Sequence, residues 1–203
     1  LVQHHNSMPS MRCTLLAAAL LVPLSAFAPS SASRGTAKKL HAAPYERYLD
    51  AACEAARAAG ALIRSASTDE RAVDTLKANA KDLLTKTDVA CQDVAAAVLA
   101  RREPTSRLLG EEDVAPGGDA ARRAAEKAFA TDGLVWAVDP IDGTANFVDA
   151  IPLSATSVAA VECVSGNCRV VAGAVYDPYR DELFGAAYGK GAWVETAGKR
   201  APL

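Results

Sequence analysis

Apolar positions Tyr45, Tyr48, Leu49, Ala52, Ala56, Ala59, Leu62 and Ile63 recur at helical spacing, with Glu46, Arg47, Asp50, Glu54 and Arg57 mostly on the other side. This predicts a packing helix over 45–63, with Pro44 suited to its first turn. Val73 to Leu84 reads as two short strands around Ala78-Asn79-Ala80. A long helix follows, capped by Thr87 or Asp88, with Val94, Ala97 and Val98 toward the core. Arg101 to Arg107 is a loop, and Leu108-Leu109 a short strand delivering Gly110-Glu111-Glu112-Asp113. Ala120 to Phe129 forms an alanine-rich surface helix. Leu134 to Val138 is an apolar run with the character of a buried strand, which Asp139-Pro140 stops because proline cannot donate to a ladder. Thr156 to Val164 and Arg169 to Tyr176 form a hairpin around Ser165-Gly166-Asn167, and Leu183 to Tyr188 and Ala192 to Val194 extend the same sheet. The pattern predicts one α+β domain over 46–203, two long helices packed on a largely antiparallel sheet.

The first 45 residues stand apart. They contain no Asp or Glu, but do contain Arg12, Arg34, Lys38 and Lys39. Arg12 precedes an apolar run from Leu15 to Leu24, too short to span a bilayer, and then small residues Ser25-Ala26, the layout of a signal peptide. A serine- and alanine-rich, acid-free segment follows. Ser25-Ala26-Phe27-Ala28-Pro29 resembles the cleavage motif of bipartite plastid presequences in algae. The expectation is therefore a removed presequence over 1–45, plastid localisation and no stable membrane anchor, with secretion as the alternative. Of 22 basic and 24 acidic residues, 18 basic and all the acidic ones remain after residue 45, a net charge of −6 that argues against nucleic acid as a partner. His4, His5 and His41 also fall in the presequence, which removes Ser-His-Asp and Cys-His chemistry and most catalytic zinc sites from the mature domain. In a reducing plastid stroma Cys163 and Cys168 read as ordinary thiols, and Cys53 and Cys91 as core residues.

The chemistry concentrates in Asp139-Pro140-Ile141-Asp142-Gly143-Thr144-Ala145-Asn146-Phe147. Asp142-Gly143-Thr144 has the character of a helix start, where the N–H groups of Gly143 and Thr144 form a phosphate cradle. Asp139 and Asp142 lie beside that cradle, and a phosphate next to two carboxylates calls for an oxygen-loving divalent cation, magnesium above all. The plainer alternative is a strand ending in an Asp-Pro turn with a capping aspartate.

That string resembles the signature of the inositol monophosphatases, lithium-sensitive magnesium phosphatases. Upstream, Asp82-Leu83-Leu84-Thr85-Lys86-Thr87-Asp88 and Gly110-Glu111-Glu112 resemble the family's blocks in order and spacing, and the resemblance covers about residues 45–203. It implies the layered sugar-phosphatase fold, first domain only. It also implies a magnesium set of Glu111, Asp139, Asp142 and the carbonyl of Ile141. Asp88 and Thr144 would orient or deprotonate the attacking water, Lys77 would stand near the metal, and Gly143 and Thr144, with Asp142 and Glu111 beside them, would receive the phosphate. The implied reaction is hydrolysis of a small phosphate monoester, inositol 1-phosphate first, with histidinol phosphate or a sugar or nucleotide bisphosphate as alternatives. A full-length protein would be a homodimer. The family's further aspartate, in a Trp-Asp motif, has no counterpart here, since Trp136 precedes Ala137 and Trp193 precedes Val194. The family's second half is thus expected beyond Leu203, the other possibility being a non-catalytic metal-binding remnant.

Overall fold

The computed structural model describes residues 43–203 except 69 and 116, without the side chains of 43–44 and 68–85. Residues 1–42, and with them nearly all of the expected presequence, lie outside the described residues. Helix α1 (Ala43–Thr68) buries Ala51, Ala52, Ala55, Ala56 and Ala59 completely, so its backbone can lie close to its neighbours. Helix α2 (Glu70–Arg102) packs beside it through Cys91, Ala95, Val98 and Leu99. The two strands expected over 73–84 are therefore helix. That stretch has no glycine or proline and is rich in Ala, Leu and Lys, so nothing in it breaks a helix begun at Glu70. Thr87 and Asp88 consequently lie mid-helix rather than at a cap, and both are buried.

The chain continues through β1 (Arg107–Gly110), a 3-10 turn (Glu111–Asp113), α3 (Gly118–Phe129) and β2 (Gly133–Asp142), with β1 and β2 parallel as a β-α-β unit requires. A short helix α4 (Thr144–Val148) precedes β3 (Ala155–Val164), β4 (Asn167–Asp177), β5 (Glu182–Ala187), β6 (Gly191–Thr196) and β7 (Lys199–Pro202), paired antiparallel in sequence order. The α+β architecture and the largely antiparallel seven-stranded sheet agree with the expectation. β7 is an additional strand.

Alternation along β2 explains its unbroken apolar run. Trp136 and Val138 join α1 and α2 in one core, while Val135 and Ala137 join Ala159, Val161 and Val170 in a second core, closed by Ala124, Ala125, Ala128 and Phe129 of α3. Burying such a Val or Leu side chain contributes about 1.5–3 kcal/mol. The Trp136 indole N–H donates to Ser106 Oγ at 3.0 Å, so the largest core side chain is also satisfied.

β2 does not stop at Asp139-Pro140. Asp139 pairs with Ser157 and Asp142 with Ala155, so β2 carries one extra residue there, a bulge. Pro140 sits within the bulge, where the ladder is interrupted and its missing N–H costs little; its carbonyl accepts from Thr156 Oγ1 at 2.9 Å. The β3–β4 hairpin expected around Ser165-Gly166-Asn167 turns at Ser165-Gly166 alone, with φ of 52° and 77°, since Asn167 already pairs with Val164. Its register sets Cys163 directly opposite Cys168, and the two form a disulfide, against the expectation of free thiols. Pairing across the hairpin, rather than compartment, governs that geometry. Cys53 and Cys91 are buried thiols as expected, pushed by burial up to about 11 and about 12. Among the described residues no helix is long and apolar enough to cross a membrane.

Candidate metal and phosphate site

Parallel pairing of β1 with β2 matches Gly110 to Val138, so Glu111, the first residue past β1, comes beside Asp139, which lies within β2. Asp142 arrives by a different device. In a regular strand, residues three apart point to opposite faces, but Asp139 and Asp142 pair with Ser157 and Ala155, which share a face. The bulge's extra residue thus turns Asp142 to the side of Asp139. From α2, Asp88 adds a further charge to the same corner.

These acids bear on one another electrostatically. Asp139 is 4% exposed, and its carboxyl is raised to about 9, first by burial, then by the charges of Glu111 and Asp142, by a hydrogen bond with Glu111, and by the charge of Asp88. Its Oδ1 is buried without a hydrogen-bond partner. A carboxylate oxygen withdrawn from water, unpartnered and surrounded by acids, is a costly arrangement that a cation relieves. The donors are all oxygen and, beyond residue 45, there is no histidine, which suits a hard divalent ion such as magnesium better than zinc. Among the described residues no three His, Cys, Asp or Glu side chains are already closed to ligating spacing. The corner therefore gathers acids around one buried carboxyl without closing them to ligating spacing.

The remaining sequence-predicted residues divide. Gly143 adopts a left-handed φ of 88° at the start of α4, and a Cβ there would fall 2.8 Å from Leu153 O, so only glycine fits. Thr144 Oγ1 donates to Ile141 O at 2.9 Å, occupying one of the two lone pairs of the carbonyl expected to face the metal. The side chain of Lys77 lies outside the described residues; its backbone is in α2 rather than a hairpin. The sequence reading missed Gln92, buried one turn beyond Asp88, and Asn146, whose amide donates to Leu153 O at 2.7 Å and ties α4 to the following loop. Spacing of i, i+4 from Asp88 was the available signal for Gln92.

Comparison with known proteins bears on the family. The profile of the inositol monophosphatase family matches residues 45–203. The chain is 36% identical over 149 residues to inositol monophosphatase 3 of Solanum lycopersicum, covering 73% of this chain and 50% of that protein. It is 34% identical over 154 residues to inositol monophosphatase 2 of Homo sapiens, covering 76% and 49%. Among solved structures, Mycobacterium tuberculosis SuhB superposes with a TM-score of 0.56 at 30% identity, over 78% of this chain and 51% of that one. CysQ from Bacteroides thetaiotaomicron, a bacterial member of the inositol monophosphatase family, gives 0.57 at 28% identity, over 74% and 49%. The chain spans about half the length of the curated relatives it matches.

Proposed function

The chain belongs to the inositol monophosphatase family, and from that premise we propose that the Asp139 corner is the carboxylate wall of a magnesium-dependent site for hydrolysing a small phosphate monoester, inositol 1-phosphate first. The single observation that carries this reading is the buried, unpartnered Oδ1 of Asp139 among the charges of Glu111, Asp142 and Asp88. Glu111, Asp139, Asp142 and the second lone pair of the Ile141 carbonyl would hold the cation, which when bound supplies the positive charge that lets a phosphate approach these acids and polarises its oxygens.

The chain's own residues do the rest. The amides of Gly143 and Thr144 receive the phosphate oxygens, and the left-handed Gly143 lets the backbone come close to them. Asp88, buried mid-helix, orients the attacking water and accepts its proton. Thr144 spends its hydroxyl hydrogen on Ile141 O, so its own lone pairs are left to accept from that water.

Isothermal titration of the 203-residue chain with magnesium tests the assignment. We expect saturable binding that weakens strongly in Asp139→Asn and Glu111→Gln. Unchanged binding in both variants would refute it. A panel of inositol 1-phosphate, histidinol phosphate and a 3′-phosphonucleotide then separates the substrate alternatives by rate.

A further inference from the structure

The β1–β2 ladder ends at the pair Gly110–Val138, so no strand pairing holds Glu111 itself. The 3-10 turn that carries it includes the backbone bond Val114 N–H to Glu111 O at 3.1 Å and has no side-chain cap at Gly110. A further grip on the turn comes from α2. Gln92 Oε1 accepts the Glu112 N–H at 3.0 Å. On the other side of Glu111, a Cβ built on Gly110 would fall 2.2 Å from that same Oε1, 2.3 Å from Cδ and 2.7 Å from Nε2. The Gln92 carboxamide therefore lies against the backbone of Gly110 and bonds that of Glu112, the two residues flanking Glu111. Gln92 is 6% exposed, and an amide buried that far is tolerated because of the bond it makes.

We propose that Gln92 is a positioning residue for Glu111, acting through the backbone on both sides of it. The absence of a side chain at Gly110 is the other half of the contact, since even an alanine methyl would collide with the carboxamide. Because Asp88 and Gln92 are one turn apart on the same rigid helix, the clamp sets the spacing between Asp88 and the Glu111–Asp139 pair. The role in cation binding rests on the metal-site reading above. A group that fixes a ligand without touching the metal characteristically changes affinity by about 10–100-fold when removed.

The test uses the full chain in five forms, wild type, Gln92→Met, Gln92→Glu, Gly110→Ala and Asp139→Asn, with two readouts. Gln92→Met keeps the length and burial but removes the acceptor. In metal-free protein it should speed hydrogen exchange at the Glu112 amide at least about tenfold while the amides of β3 and β4 stay protected, and it should weaken magnesium binding by about 10–100-fold. Gln92→Glu keeps the acceptor and should restore the slow exchange of the Glu112 amide. Gly110→Ala attacks the same contact from the strand and should reproduce the Met variant, which keeps the test open if Gln92→Met fails to fold. Wild-type exchange at Glu112 and wild-type magnesium affinity in Gln92→Met, with affinity lost in Asp139→Asn, would overturn the positioning role and leave the metal site standing. Undiminished magnesium affinity in Asp139→Asn would overturn the metal site and, with it, the role assigned to Gln92.

Discussion

Replacing Asp139 by asparagine keeps the shape of the side chain and removes its ability to ionise, and the consequence is a change in how stability depends on pH. In the metal-free fold the carboxyl is held protonated to about 9 by burial and by Glu111, Asp142 and Asp88, whereas in the unfolded chain it titrates near 3.9. Between those values the folded state binds a proton that the unfolded state has lost, so stability must fall as pH rises through the window. The gap of about five pK units corresponds to roughly 7 kcal/mol by pH 9, comparable to the whole stability of a small domain. Urea denaturation followed by circular dichroism in EDTA, at pH 5, 7 and 9, should show wild type and Asp139→Asn close together at pH 5, and the asparagine variant increasingly the more stable above it. Magnesium should narrow the gap, because binding requires the carboxylate and releases its proton. At a hundredfold excess over Kd it adds about 2.7 kcal/mol to wild type and little to the variant. A wild-type stability that runs parallel to that of Asp139→Asn from pH 5 to 9 in EDTA would refute the account of this corner as a strained acid cluster.

Two further outcomes follow from separate features. Gly143→Ala forces a side chain onto a left-handed φ and to within 2.8 Å of Leu153 O; it should cost about 1–3 kcal/mol in the same denaturation assay, and an unchanged midpoint would show that the loop can move aside. Residues 1–45 fused to a fluorescent protein should enter the plastid, with Phe27→Ala diverting the fusion to the membranes around that organelle; secretion of the intact fusion would contradict the plastid reading.

Some of this was legible in the sequence because single residues carry it. A glutamate following a short strand and an aspartate at the end of a long strand's apolar run need only parallel pairing in the observed register to meet, and the apolar runs before Gly110 and Asp139 made both strands readable. Asp142 was legible as a residue but not as a direction. Three positions after Asp139 in a strand it should face away, and only the extra residue at the bulge, visible in the pairing of Asp139 with Ser157 and Asp142 with Ala155, turns it back. Proline was read as the end of β2 when it marks the irregularity that makes the site possible.

The errors share a physical origin, since each treated a local preference as decisive where a neighbouring element decides. The run from Val73 to Leu84 reads as two strands around Ala78-Asn79-Ala80, yet without a glycine or proline the stretch continues as α2 into Asp88. Cys163 and Cys168 were judged by redox compartment, while the hairpin register had already set them opposite one another. Gln92 could not be singled out by its chemistry, because a lone glutamine in a helix is usually solvated. Its significance lies in what it touches, the bare backbone of Gly110 and the N–H of Glu112. A site of this kind is specified twice, by acids that the sequence displays and by backbone contacts that bring those acids to one corner. The second specification becomes readable only when the close approach at a glycine is matched to the side chain that fills it.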